Sequence, residues 1–395
     1  MARIAIFCDG TWNSPRRARK THVQRLYQAA LKTPDQVPIY IEGVGTGGRL
    51  SSMIGKTLNM LGGGAFGWGL NDNIKEAYRA LAHHYKAGDS IHIYGFSRGA
   101  YTARSLAGMI RKVGIVEDLT EERLEEAFAL YRMSGPENAP DLPHILARRR
   151  RLCPQFATSQ VELDWRLVNP LPDQPEEEPT RIEIEFLGIW DTVGALGVPS
   201  TVLGPIALIW NRKHQFHDTM LSRMVRAARH ALALDERRVF FRPALWDNLE
   251  QTRAGEGLNR GDRSDARAYQ QVWFIGTHSI VGGSARSRAL TSLSLEWMAE
   301  GARNAGLELR QEPPLLDHPP DPLAEGAEVF SPPLVYRIAG ALLEWRKGPG
   351  HAVDLHASAA ERVAKRSDYR PLSLRALRPD LFGGQAIGVP QDPRA

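Results

Sequence analysis

The sequence predicts an α/β protein: a doubly wound, mostly parallel sheet with helical insertions. Three observations carry that prediction. Short continuous apolar runs recur along the chain, as expected of strands buried on both faces. Each run ends in small or polar residues. Helical patterns lie between the runs, and strand–helix alternation of this kind builds a layered parallel sheet.

The runs, in order, are Arg3–Cys8, Val37–Ile41, Ser90–Tyr94, Ile182–Trp190 and Val272–Ile275. They end in Asp9-Gly10-Thr11, in the glycine-rich stretch 43–48, in Gly95-Phe96-Ser97-Arg98-Gly99, in Asp191-Thr192 and in Gly276-Thr277-His278. Helices are expected over Leu70–Lys86, where Ile74, Ala77, Tyr78 and Leu81 share a face, and over the small apolar stretch Ala100–Ile110. A third is expected over Met220–Leu234, with Met220, Met224, Val225, Ala228 and Leu232 at three-to-four spacing. Residues 116–180 look inserted. Asp118-Leu-Thr-Glu121 reads as a capping box for a helix carrying Leu124, Phe128 and Tyr131. The basic run Arg148–Arg151 and a Pro/Glu-rich loop follow. A second irregular, Pro-rich segment spans 312–333, and the whole of 1–395 is expected to form one domain. Because ligands of parallel sheets bind at the carboxyl ends of the strands, the five terminal motifs should converge.

The composition is that of a globular chain, about 43% apolar and 24% charged over 395 residues. A core of that size needs no staple. The two cysteines, Cys8 and Cys153, are too few for a disulfide framework, and no Cys/His cluster suggests zinc. A net charge of +5 does not call for nucleic acid and is compatible with anionic headgroups or phosphate esters. Arg3 is followed at once by a short run ending in Asp-Gly, which is no signal peptide. The apolar stretch Val202–Trp210 falls far short of the roughly 20 residues a membrane helix needs. The expectation is a protein that is cytoplasmic as synthesised, meets a membrane only transiently at its surface, and leaves the cell, if at all, by a signal-independent route.

The chemistry centres on Gly95-Phe-Ser97-Arg-Gly99, a G-x-S-x-G pentapeptide between a strand and a helix. A strand that turns sharply into a helix has no room for Cβ atoms beside the turn, so glycines flank the serine. The turn lifts the Ser97 hydroxyl to a helix N-terminus, where free N–H groups favour an anion. The Arg98 N–H is one natural oxyanion donor; an N–H at Gly10 or Thr11 is the expected second, although Asp9-Gly10 also reads as an Asx turn. A serine nucleophile needs a base and an orienting acid, in the chain order Ser, acid, His. Asp191 and His278 meet that order, each at a strand end. Asp218 and Asp235 are rival acids, read as capping and salt-bridge residues, and His217 and His230 as structural. This makes the fold α/β-hydrolase-like.

Other motifs were weighed. The G-x-G-x-x-G at 43–48 precedes a poor helix start and lacks its downstream acid, and Gly55-Lys56-Thr57 lacks the first Walker glycine. In Gly62–Gly69, Phe66 and Trp68 either line an acyl site or pack an interface.

Together the motifs resemble a known family: α/β-hydrolase-like domains related to the type VI secretion phospholipase effectors. The resemblance rests on Phe7-Cys-Asp-Gly-Thr-Trp-Asn13, Gly43-Val-Gly-Thr46, Gly63-Gly-Ala-Phe-Gly-Trp-Gly-Leu70, Gly95-Phe-Ser-Arg-Gly-Ala-Tyr101, Gly188-Ile-Trp-Asp-Thr-Val-Gly194, Phe216-His-Asp218, Ala228–Arg238, Trp273-Phe-x-Gly-x-His278 and His356-x-Ser358…Tyr369-Arg-Pro371. It implies an esterase or lipase acting on lipid or phospholipid acyl esters without cofactor or metal, with Ser97 as nucleophile, Asp191 as acid and His278 as base. The family has Asp two residues after the histidine, whereas this chain has Ile280, so the loop must be held differently or activity is reduced. Two other readings stay open: a non-catalytic lipid-binding module on the same fold, and a metal-assisted hydrolase using Asp9 and Asp191.

Overall fold

In the computed structural model, which describes residues 1–10, 19–43, 69–170, 178–193, 220–250, 256–325 and 343–382, the first apolar run forms strand β1, Arg3–Cys8. Its neighbours are β2 (Gln36–Ile41) and β3 (Ser90–Phe96), both parallel to it and in register from Arg3 to Cys8. Beyond β3 lie β6 (Ile184–Trp190), β7 (Val225–Ala233) and β8 (Tyr269–Phe274), again all parallel. The sheet has six strands in the order β2-β1-β3-β6-β7-β8. The chain steps outward from β1 to β2, then returns to the other side of β1 at β3. The crevice between the carboxyl ends of β1 and β3 is therefore a topological switch point, where such sheets bind ligands.

Alternation along the strands explains the two layers. Ile4, Ile6 and Cys8 point to one face and Ala5 and Phe7 to the other, all at most 1% exposed. On the first face α2 (Leu70–His84) and α3 (Arg98–Val113) cover Ile91, Ile93 and Ile189 with Tyr78, Leu81, Leu106 and Ile110. On the second, α1 (His22–Ala29) and α8 (Arg288–Asn304) pack Val23, Leu26, Leu295 and Met298 against Phe7, Tyr94, Trp190 and Phe274. Each fully buried aliphatic side chain contributes roughly 1.5–3 kcal/mol. The described part of 116–180 packs on the first face through α4 (Glu121–Arg132) and α5 (Pro143–Leu152), and it also holds α6 (Gln160–Val168) and a small parallel pair, β4 (Phe156–Ala157) and β5 (Thr180–Arg181). A single turn, α7 (His278–Val281), follows β8, and α9 (Ala357–Lys365) lies near the end of the described chain.

The structure corrects two expectations. The predicted helix Met220–Leu234 is mostly strand β7. Its alanine-rich pattern suits a helix, but Ala228–Ala233 are buried and pair with β8, and Ala228–Ala231 pair with β6 as well. Two full ladders outweigh the few tenths of a kcal/mol per residue that helix propensity supplies. The capping residue of α4 is Thr120, whose hydroxyl accepts the Arg123 N–H; Asp118 stands outside the helix at φ +45°. The stretches 44–68, with Phe66 and Trp68, and 194–219, with His217 and Asp218, lie outside the described residues, as do Thr11 to Asn13.

Candidate active site

The site grows from the turn after β3. Ser97 has φ +57° and ψ −120°, a backbone conformation that L-residues rarely adopt. A Cβ on Gly95 would lie 2.5 Å from Gly99 O, and one on Gly99 would lie 2.1 Å from Cys8 O and 2.5 Å from Asp9 O. The serine turn is thus pressed against the end of β1, and only glycines fit on either side of it. The Ser97 N–H donates to Trp190 O at 3.0 Å, tying the turn to β6 as well. Helix α3 starts at Arg98, so the serine caps an N-terminus, where backbone N–H groups gather.

The expected trio converges. His278 Nε2 lies 2.9 Å from Ser97 Oγ, and His278 Nδ1 lies 2.6 Å from Asp191 Oδ2. Ser97 is 9% exposed, His278 5% and Asp191 0%. An ionised carboxylate only accepts, so Nδ1 carries the proton and donates to Asp191. Nε2 then offers its lone pair, and the Ser97 hydroxyl donates to it. Phe96 and Phe241 flank the imidazole, with ring centroids 4.7 Å and 4.8 Å away.

Two buried carboxylates hold this histidine. Asp191 Oδ1 accepts the Ala233 N–H at 3.0 Å and Arg346 Nη1 at 2.6 Å; Oδ2 accepts His278 Nδ1 and, at 3.0 Å, Arg346 Nη2. Those four donors fill the carboxylate's lone-pair sites. Burial pushes the Asp191 carboxyl up, but the Arg346 charge, the His278 and Arg346 hydrogen bonds and the His278 charge outweigh it, leaving the group well below the ordinary carboxylate range. Glu236, also 0% exposed, accepts the His278 backbone N–H at 3.2 Å and three donors of Arg238 at 2.8–2.9 Å. Burial raises the Glu236 carboxyl and the contacts with Arg238 more than reverse it. Asp235 accepts the Gly276 N–H at 2.6 Å and the Tyr369 hydroxyl at 3.0 Å. Gly276 has φ +107°, and a Cβ there would lie 2.5 Å from Ile280 Cγ2.

These contacts settle how the loop is held without an aspartate at 280. Ile280 is 4% exposed and belongs to the apolar core, while Glu236 and Asp235 fix the loop from the end of β7. Behind it, Ser294 Oγ donates to Val281 O at 2.8 Å and the His22 N–H to Gly282 O at 3.0 Å. Asp235, read from sequence as a cap in a helical setting, is therefore part of the support. That misreading follows from taking β7 for a helix; a strand there puts Asp235-Glu236 at a carboxyl end, beside the other motifs. His230 is structural, its Nε2 accepting the Thr192 N–H at 3.2 Å. Arg346 carries no sequence signal: it lies in an irregular segment far downstream of the three motifs.

Of the expected oxyanion donors, Arg98 is the first residue of α3, at the helix N-terminus. The Gly10 N–H donates to Asp9 Oδ1 at 2.6 Å, so the Asx-type contact prevails there, and Thr11 is outside the described residues. Asp9 also accepts the hydroxyls of Thr21, at 2.8 Å, and Tyr40. With Asp9 so engaged and Asp191 saturated, the two have little to offer a metal. Among the described residues no group of three or more His, Cys, Asp or Glu is placed to hold one, and no helix is long and apolar enough to cross a membrane.

The uncharacterized protein YEL023C of Saccharomyces cerevisiae is 28% identical over 248 residues, which are 60% of this chain and 32% of that protein. The chain thus spans about a third of that relative's length. A crystal structure of an uncharacterized protein from Pseudomonas aeruginosa aligns with a TM-score of 0.40 at 17% identity, covering 78% of this chain and 46% of the other. The Tle1 effector bound to the VgrG spike of the type VI secretion system aligns at 0.37 and 17% identity, over 73% and 51%. A family model, that of the catalytic domain of Tle1-like type VI secretion phospholipase effectors, matches residues 2–301, and with three quarters of its length inside that match the chain belongs to this family.

Proposed function

We propose that this protein is a serine hydrolase of carboxylic esters, with lipid or phospholipid acyl esters as substrates. The observation that carries the reading is the continuous hydrogen-bonded line from Ser97 Oγ through His278 to Asp191, set on a strained turn at a helix N-terminus. His278 Nε2 takes the Ser97 proton as Oγ bonds to the ester carbonyl carbon. The imidazolium so formed is stabilised by Asp191. The carbonyl oxygen becomes an oxyanion beside the Arg98 N–H, where the α3 N-terminus favours negative charge. When the tetrahedral intermediate collapses, His278 gives its proton to the leaving alkoxide, and the acyl group stays on Ser97. A water then repeats the sequence, its proton passing to His278 and on to Ser97 Oγ as the acid leaves. No step draws on a cofactor.

The family's phospholipase members support an acyl-ester substrate. Against a purely lipid-binding module stands the saturation of both buried carboxylates around His278, which preserves the tautomer that catalysis needs. The test is a fluorophosphonate probe read by intact mass. The native chain should gain one probe adduct and Ser97→Ala none. An unlabelled native chain, or equal labelling of the two, refutes the reading.

A further inference from the structure

The guanidinium of Arg346 grips Asp191 with both terminal nitrogens, Nη1 on Oδ1 at 2.6 Å and Nη2 on Oδ2 at 3.0 Å. The pair is buried, the side chains being 4% and 0% exposed. Nη1 also donates to Ala233 O at 2.9 Å, and Nη2 to Phe241 O. The guanidinium plane is therefore fixed by the end of β7 and by the turn after it, and the carboxylate is fixed by the guanidinium. Arg346 itself is anchored from outside the sheet: its carbonyl accepts Arg375 Nη1 at 3.2 Å, and the Glu344 N–H donates to Arg237 O at 2.7 Å. Arg346, Glu344 and Arg375 belong to the segment 343–382, beyond the residues the family match covers.

We infer that Arg346 is a positioning residue of this site, which orients the Asp191 carboxylate toward His278 Nδ1. The inference rests on the serine-hydrolase reading. A bidentate guanidinium fixes the plane of a carboxylate as a single hydrogen bond does not. Other groups among the described residues also face this pair. The end of β7 supplies Glu236 with Arg238, Asp235 with Tyr369, and the neutral His230. Phe96 from β3 and Phe241 cover the imidazole. Removing Arg346 leaves the two carboxylates Asp191 and Glu236 around one imidazole, with Arg238 paired to Glu236.

The experiment measures the second-order rate of Ser97 labelling by a fluorophosphonate for the full chain and for Arg346→Met and Arg346→Lys. In Arg346→Met the rate should fall ten- to hundredfold. Millimolar guanidinium should restore part of the loss in Arg346→Met and none in wild type. Arg346→Lys keeps the charge but loses the fork, so its rate should fall as well. A folded Arg346→Met, judged by circular dichroism, with the wild-type rate overturns the inference. If Arg346→Met does not fold, Arg346→Lys decides: a rate equal to wild type overturns bidentate positioning. A wild-type chain that never labels defeats the hydrolase reading and this inference with it, whereas a labelled wild type with unchanged variants defeats this inference alone.

Discussion

Replacing Asp191 by Asn should cost both activity and stability, by amounts the geometry sets. An asparagine presents one acceptor and one donor where Asp191 presents two acceptors, yet four donors converge on it. If its NH2 takes the Oδ2 position it faces His278 Nδ1, 2.6 Å away, and Arg346 Nη2 at 3.0 Å. The imidazole must then carry its proton on Nε2, pointing at Ser97, where it cannot accept one. If the NH2 takes the Oδ1 position it meets the Ala233 N–H and Arg346 Nη1. Donors oppose donors either way. A wrong tautomer costs about 10⁴ in rate, roughly 5 kcal/mol of barrier. Leaving the guanidinium of Arg346 buried without its counter-charge costs about 3–5 kcal/mol of stability. The backbone does not confuse the comparison, because asparagine tolerates the φ of +40° at this position. The assays are the fluorophosphonate labelling rate and urea unfolding of the same samples. Labelling within tenfold of wild type would refute the claimed role of the carboxylate, and an unchanged urea midpoint would refute the buried ion pair.

Gly99→Ala places a methyl 2.1 Å from Cys8 O, so the turn must back away from β1; labelling should fall at least a hundredfold while circular dichroism stays near native. Stability should decline below neutral pH through buried histidines that stay neutral when folded. Burial pulls His92 and His356 down to about 4 and His230 to about 3, from 6.5. The unfolded chain therefore takes up protons below pH 6.5 that the folded chain refuses, and stability is lost as pH falls from there, by up to about 1.4 kcal/mol per unit for each histidine. Asp191 acts in the same direction but lower down: its depressed folded value means its contribution is complete above the ordinary 3.8 and fades only below it. Urea midpoints at pH 7.5 and 5.5 test the histidines, and equal midpoints would contradict the burial argument.

Much of this arrangement is legible in the sequence because each proposed triad side chain lies shortly past a strand, Ser97 and Asp191 directly after β3 and β6 and His278 a short turn after β8, where small residues mark the end of an apolar run. Ser97, Asp191 and His278 could be placed on one sheet edge without coordinates, since parallel strands bring their carboxyl ends together. The sixth strand was hidden by its alanines: small side chains that let α8 approach β7 closely look, in one dimension, like helix formers. Losing β7 also hid Asp235 and Glu236, whose roles depend on where that strand stops. Arg346 was illegible for another reason. Its partners Asp191, Ala233 and Phe241 are more than a hundred residues away, and nothing local distinguishes an arginine that closes a distant ion pair from one that points into water.

Two of the three proposed triad residues, Ser97 and Asp191, stand at positive φ without being glycine. Backbone of that kind is uphill by about 1–3 kcal/mol per residue. The surrounding chain must supply that tension permanently, through close packing at β1 and the clasp of Arg346. The proposed triad is thus a sprung element in an otherwise relaxed sheet, its geometry maintained by load from its neighbours and not by any preference of its own.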